Sequence, residues 1–354
     1  MHAQVLKPGF DPYEYTDVLQ RCGDQANRGD DIKPLKKLQW TREFRSAETG
    51  LHNRWDLWLN KDKTVMAINI RGTAGEMDSW LENFYSAMIP ASGSMKVDSR
   101  NTFNYKFSND PKATVHVGWT LGLASMAPEM IRQIKSYYAQ GVKEILVEGH
   151  SQGGAIAYLL SSYLHYQIVE GKLPADIIVK TYCSAAPKPG NLYYAYDFDY
   201  INRGGWAFTV VNAADWVPEI PFSIQTLSDI NEVSPFRRAK EVLKKQNFFV
   251  RIYLNHIYKD ISHSAYKAQR KYAKYLGKKA YKRVKKILPD FEPPAYARTG
   301  NYARAGSQIV LEPDAEYYKK FPNDGSNMFI NHLFLPYYYL LTKAYPEVLK
   351  KQGS

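Results

Sequence analysis

The pentad Gly149-His150-Ser151-Gln152-Gly153 fits G-x-S-x-G, the pattern of a serine nucleophile on a tight strand-to-helix turn. Glycines two before and two after the serine remove side chains that the strained turn could not hold. By composition alone the pentad would arise in about one chain in ten of this length. Its context is more specific than the pattern. The short apolar run Glu144-Ile145-Leu146-Val147 precedes it, and an apolar stretch from Ala155 to Val169 follows, with Gly154 as a third small residue. Ser151 is therefore read as a nucleophile for acyl transfer, against the alternative of a buried structural serine. The backbone N–H of Gln152, next in the chain, is the expected first donor to a developing oxyanion.

Such a serine needs a base and an acid to orient it, in the chain order Ser, acid, His. Ile177–Cys183 and Ala207–Val211 read as the next two strands, and Asp215 lies four residues beyond the second. A lone loop Asp more often caps a turn, but this position can reach the top edge of a sheet. Asp197 and Asp199 lie before that strand and are poorer candidates. Three histidines follow Asp215: His256, His263 and His332. The first two precede the strand expected at Ser307–Leu311 and read as solvated helix positions. His332 follows it and is the favoured base, with His263 kept as the alternative for its shorter spacing from Asp215. His116 and His150 read as packing residues. No spacing suggests a metal site, and no cofactor is expected.

The elements that must position these residues alternate. Trp55–Asn60 and Thr64–Ile70 flank Lys61-Asp62-Lys63 as a hairpin, and Met77–Met88 has helical apolar spacing. Thr114–Gly118 reads as a strand, Met126–Ala139 as a helix, and a final helix spans about Pro336–Lys343. This is an α/β pattern with a largely parallel sheet. At 354 residues, 45% hydrophobic and 23% charged, the chain can bury a large core. Its two cysteines, Cys22 and Cys183, allow at most one disulfide. The longest charge-free stretch, Gly149–Val169, is too interrupted to span a membrane. The opening Met1-His2-Ala3-Gln4 fits equally the stub of a removed secretory signal, which would imply a secreted or periplasmic protein, and an ordinary cytoplasmic start.

Charge is concentrated. Phe236–Leu288 holds 17 Lys/Arg against two acids, Glu241 and Asp260, while the whole chain carries +12. The rest is thus slightly acidic, and residues 236–295 form a basic helical insertion between two parts of one core, 1–235 and 296–354. Charge alone points to an anionic membrane or nucleic acid as partner.

The elbow resembles that of the class 3 lipases, the fungal-lipase-like branch of the α/β-hydrolase fold, with Gln152 where that family typically has Leu. The resemblance extends to Arg71-Gly72-Thr73 with Trp80 following, to Val115-His116-Val117-Gly118-Trp119, and to Thr181-Tyr182-Cys183-Ser184-Ala185-Ala186-Pro187. It also takes in Asn212-Ala213-Ala214-Asp215-Trp216-Val217-Pro218 and a piece near 302–342. The basic insertion matches nothing in the family. The resemblance implies an α/β-hydrolase fold with a Ser151, Asp215, His332 set and Thr73 as second oxyanion donor through its N–H, aided by its hydroxyl. It implies an acyl ester or lipid substrate, with a segment after Thr73 that is either a lid or a plain core helix. A triacylglycerol-type lipase is the first expectation. A phospholipase A1, a short-chain carboxylesterase, an acyltransferase and a non-catalytic polyanion-binding protein are the alternatives. Nucleic acid is not favoured, and the basic insertion is expected either to meet an anionic membrane or to stay solvated.

Overall fold

A computed structural model describes residues 5–27, 39–244 and 247–350; the opening residues on which the compartment expectation rests, and Lys245 of the basic segment, lie outside them. One sheet of seven strands organises the molecule: β1 (Trp40–Arg45), β2 (Trp55–Asn60), β3 (Val65–Ile70), β4 (Glu144–His150), β5 (Ile178–Ser184), β6 (Ala207–Asn212) and β7 (Ser307–Leu311), in that spatial order. β1, β2 and β3 pair antiparallel, and β3 through β7 pair parallel. β3 and β4 are buried along their whole length, which is why both read as unbroken apolar runs.

Alternation along β4 feeds two cores. Ile145 and Val147 face the helices α3 (Val117–Tyr138) and α4 (Gln152–Val169), while Leu146 faces α1 (Pro12–Gln25) and the C-terminal helix Phe334–Ala344. α1 starts where Asp11 accepts hydrogen bonds from the N–H groups of Tyr13 and Glu14, with Pro12 at the first position. It is tied to the sheet by a bidentate pair, Arg21 Nε to Glu148 Oε1 at 2.7 Å and Nη2 to Oε2 at 2.6 Å, both side chains fully buried. Removing one partner of such a pair costs about 3–5 kcal/mol.

The strand at Thr114 ends at His116, and α3 begins at Val117 rather than Met126. His116 Nδ1 accepts the N–H of Trp119 and starts the helix. Gly118 and Gly122 lower helix propensity but are required by packing. A Cβ on Gly118 would lie 2.1 Å from the Glu82 carbonyl, and one on Gly122 would lie 2.3 Å from Glu82 Oε1. Glu82 belongs to α2 (Met77–Phe84), shorter than the sequence pattern suggested because the chain enters a strand at Met88–Pro90.

The basic segment is helical: Ala239–Leu243, Phe248–Tyr272, a π-helical turn Ala273–Lys279, and Ala280–Ile287. Its C-terminal half is anchored behind α2. Ala87 N donates to Leu276 O at 3.1 Å, and the Ser86 and Tyr272 hydroxyls lie 2.6 Å apart. Its N-terminal half leaves Phe248, Phe249, Ile252 and Tyr253 exposed. Among the described residues no helix is long and apolar enough to cross a membrane, and both cysteines are free and buried.

Candidate active site

Ser151 sits between β4 and α4 with φ 62° and ψ −131°, a left-handed conformation that an L-residue adopts only under constraint. The constraint is visible. Ser151 N donates to the Ser184 carbonyl at 2.9 Å, and α4 begins at the very next residue. A Cβ on Gly149 would lie 2.3 Å from the Gly153 carbonyl carbon, and one on Gly153 would lie 2.1 Å from the Ile70 carbonyl oxygen. Only glycine fits at either place.

Asp215 leaves the end of β6, and its side chain is fully buried. Its Oδ1 accepts the Val217 N–H at 3.0 Å, and its Oδ2 accepts the Tyr337 hydroxyl at 2.8 Å. The same Oδ2 lies 2.7 Å from His332 Nδ1. A carboxylate only accepts, so Nδ1 carries the proton and, in the neutral ring, Nε2 is left with its lone pair. The loop that carries His332 is held by Asn212, whose Nδ2 donates to the Asn331 carbonyl at 2.9 Å, and by Tyr317, whose hydroxyl donates to Asn331 Oδ1 at 2.7 Å.

Ser151 and His332 line one cleft of about 520 Å³, together with Thr73, Trp80, Phe329 and Phe334. On that cleft Phe329 lies 5.8 Å from Trp80 and 6.1 Å from His332, ring to ring, and Trp216, outside the lining, backs Phe329 at 5.3 Å. Such an apolar wall beside a few converging polar groups suits a substrate with a hydrocarbon part.

The remaining sequence candidates fall elsewhere or take different roles. His263 lies exposed on Phe248–Tyr272, lining a separate groove, and His256 is exposed beside Asp260 at 3.4 Å. His116 is fully buried against Trp119, and burial pulls it down to about 3. His150 is buried but also bonded, with Nε2 2.8 Å from the His332 carbonyl and Nδ1 3.0 Å from Ser184 Oγ. Asp197 accepts the Tyr166 hydroxyl, and Asp199 accepts the Gly306 N–H. Thr73 departs from the expectation in one respect. Its hydroxyl donates to Gln152 Oε1 at 2.9 Å and accepts from Asn83 Nδ2 at 2.9 Å. That hydroxyl is thus engaged sideways, its one proton committed to Gln152.

Sequence reasoning passed over Glu82, Asn53, Asn83 and Tyr337. The one available signal was Gln152, a polar residue at a position where the similar elbows carry leucine. No group of three or more His, Cys, Asp or Glu side chains suited to a metal ion occurs among the described residues.

Residues 67–225 match the family model described as Lipase (class 3). The chain is 30% identical over 104 residues to the secreted mono- and diacylglycerol lipase LIP4 of Malassezia restricta, covering 29% of this chain and 32% of that one. It is 25% identical over 203 residues to the secreted mono- and diacylglycerol lipase MDL2 of Malassezia globosa, covering 56% and 59%. It thus spans between a third and three-fifths of the length of these relatives. Among solved structures, a triacylglycerol lipase from Penicillium expansum aligns with TM-score 0.43 and 18% identity over 60% of this chain and 75% of that one. The Rhizomucor miehei lipase propeptide complex aligns with TM-score 0.43 and 17% identity, over 59% and 62%. Over residues 67–225 the chain is thus similar to the class 3 lipases.

Proposed function

We propose that this protein is a lipid esterase, of triacylglycerol lipase type, working through an acyl-enzyme on Ser151. The observation that carries the reading is the 2.7 Å contact of His332 Nδ1 with buried Asp215, on a histidine that shares its cleft with Ser151. His332 Nε2 takes the Ser151 proton as Oγ attacks the ester carbonyl, and Asp215 steadies the imidazolium that forms. The N–H groups of Gln152 and Thr73 receive the oxyanion, each donor contributing about 3–4 kcal/mol to the transition state. His332 then returns the proton to the leaving alcohol. Water repeats the sequence on the acyl-enzyme and frees the acid.

The aromatic cleft wall and the mono- and diacylglycerol lipases among the relatives favour a glyceride substrate. The basic segment favours an anionic lipid surface as the place of action, where each nearby Lys or Arg contributes about 1 kcal/mol. The same feature keeps a phospholipase A1 as the second reading. A panel of p-nitrophenyl esters, mono-, di- and triacylglycerol and phospholipid, run beside fluorophosphonate labelling of wild type and Ser151→Ala, tests both. Turnover or labelling that survives in Ser151→Ala would remove the assignment. Preference for phospholipid over every glyceride would decide for the second reading.

A further inference from the structure

Behind the oxyanion donors lies a fully buried carboxyl. Glu82, on α2, has no exposed surface, and its partners Asn53 and Gln152 are buried with it. Gln152 Nε2 donates to Glu82 Oε1 at 2.9 Å, and Asn53 Nδ2 lies 2.6 Å from Glu82 Oε2. Gln152 Oε1 in turn accepts the Thr73 hydroxyl, which is also held by Asn83, and Asn83 Oδ1 accepts the Trp119 indole N–H at 2.9 Å. The chain of bonds thus runs from a carboxyl in the core, through the side chain of the residue after the nucleophile, to the residue after Gly72. A hydrocarbon side chain at 152 could transmit none of it.

A buried carboxyl held by neutral amides is costly in its charged form, and a merely structural site would be served as well by apolar packing. Burial outweighs the two amide donors and pushes Glu82 up to about 8, so it is protonated at neutral pH. Asn53 Nδ2 donates to Glu82 Oε2 at 2.6 Å, and the Asn53 oxygen lies 3.5 Å from Gln152 Nε2. Glu82 Oε1 then remains for Gln152 Nε2, and the Gln152 oxygen is committed to Thr73.

We infer that Glu82 is a positioning residue for ester hydrolysis, acting through the Gln152 side chain on Thr73 to hold the Thr73 N–H where the oxyanion develops. This rests on the acyl-transfer reading above. Of the elements packed on Glu82, α3 presents Gly118 and Gly122, neither of which titrates. α4 presents Gln152, and the segment before β2 presents Asn53. Ionisation of Glu82 places a negative charge behind the oxyanion donors, so turnover falls on the alkaline side as that proton is lost.

The test compares wild type, E82A, E82Q and Q152L on a soluble p-nitrophenyl ester, with kcat, KM and thermal midpoint measured from pH 6 to 10. E82A and Q152L should lose about 10- to 100-fold in kcat with KM within about twofold, short of the ~10²–10³ for outright loss of a donor. E82Q should recover most of that loss at pH 7 and lose the alkaline fall near pH 8. A folded E82A with kcat within twofold of wild type overturns the inference. So does an E82Q that keeps the alkaline fall, or a loss that appears in KM rather than kcat. If E82A does not fold, Q152L and the E82Q profile decide alone. A wild-type chain that neither hydrolyses esters nor labels with fluorophosphonate removes the ester reading itself, and this inference with it.

Discussion

His150 Nε2 donates to the main-chain carbonyl of His332 at 2.8 Å, and the two rings lie 4.8 Å apart. A carbonyl accepts, so His150 carries its proton on Nε2, and Nδ1 accepts from Ser184 Oγ. Ser184, having donated, accepts from the Tyr15 hydroxyl at 2.7 Å. The elbow residue beside the serine thus braces the loop of the histidine 182 positions later. His150→Ala should lower kcat by about tenfold while Asp215 and Tyr337 keep the His332 ring in place, because a misplaced base costs rate without abolishing it. A short-ester assay with a folded variant checks this, and His150→Asn, which keeps an N–H donor, should lose less.

His332→Ala should cut ester turnover by several orders of magnitude, since groups that act as a unit fail together. Asp215→Asn should lose about 10⁴-fold through the wrong imidazole tautomer. His263→Ala, on the exposed face of Phe248–Tyr272, should leave the rate within about twofold. Comparable losses at His263 and His332 would move the base into the basic segment.

Glu82 also predicts a stability profile. Its carboxyl titrates near 4.5 when exposed and about 8 in the folded chain. The folded state therefore binds the proton more tightly, and stability falls as pH rises between those values. The thermal midpoint of E82Q relative to wild type should climb from pH 5 to pH 8 and level off above it. A difference that is flat across that range would show that Glu82 is already charged when buried.

Phe236–Leu288 should bind anionic liposomes strongly at low salt and weakly at high salt, because screening sets in over a Debye length of about 8 Å at physiological ionic strength. Reversing the exposed Lys278, Lys279, Lys282, Arg283, Lys285 and Lys286 should remove that binding and leave soluble-ester hydrolysis unchanged. Sedimentation with vesicles and a parallel p-nitrophenyl assay separate the two effects. Binding that ignores salt would point instead to the exposed Phe248, Phe249, Ile252 and Tyr253 as the main contact.

What could be read from the chain was what is local. The elbow, β3 and β4 each declare themselves within seven residues, because a tight turn needs glycine and a doubly covered strand needs apolar runs. The beginning of α3 was obscured by Gly118 and Gly122, whose reason is the distant Glu82 rather than helix propensity. α1 has no counterpart among the elements expected from the sequence, although Asp11-Pro12 is a helix-start signal. The supports of His332 were beyond reach: Asn212, Tyr317 and Tyr337 meet its loop or its acid only when β6 and the last helix are brought together.

The backbone of Ser151 sets activity and robustness against each other. A residue with a side chain held at φ 62° costs about 1–3 kcal/mol, a strain that glycine would not feel. Ser151→Gly should raise the melting temperature above that of both wild type and Ser151→Ala, by an amount corresponding to about 1 kcal/mol once the looser unfolded chain is counted. The most thermostable form of this elbow would then be an inert one, so selection for heat resistance alone would erode the nucleophile first.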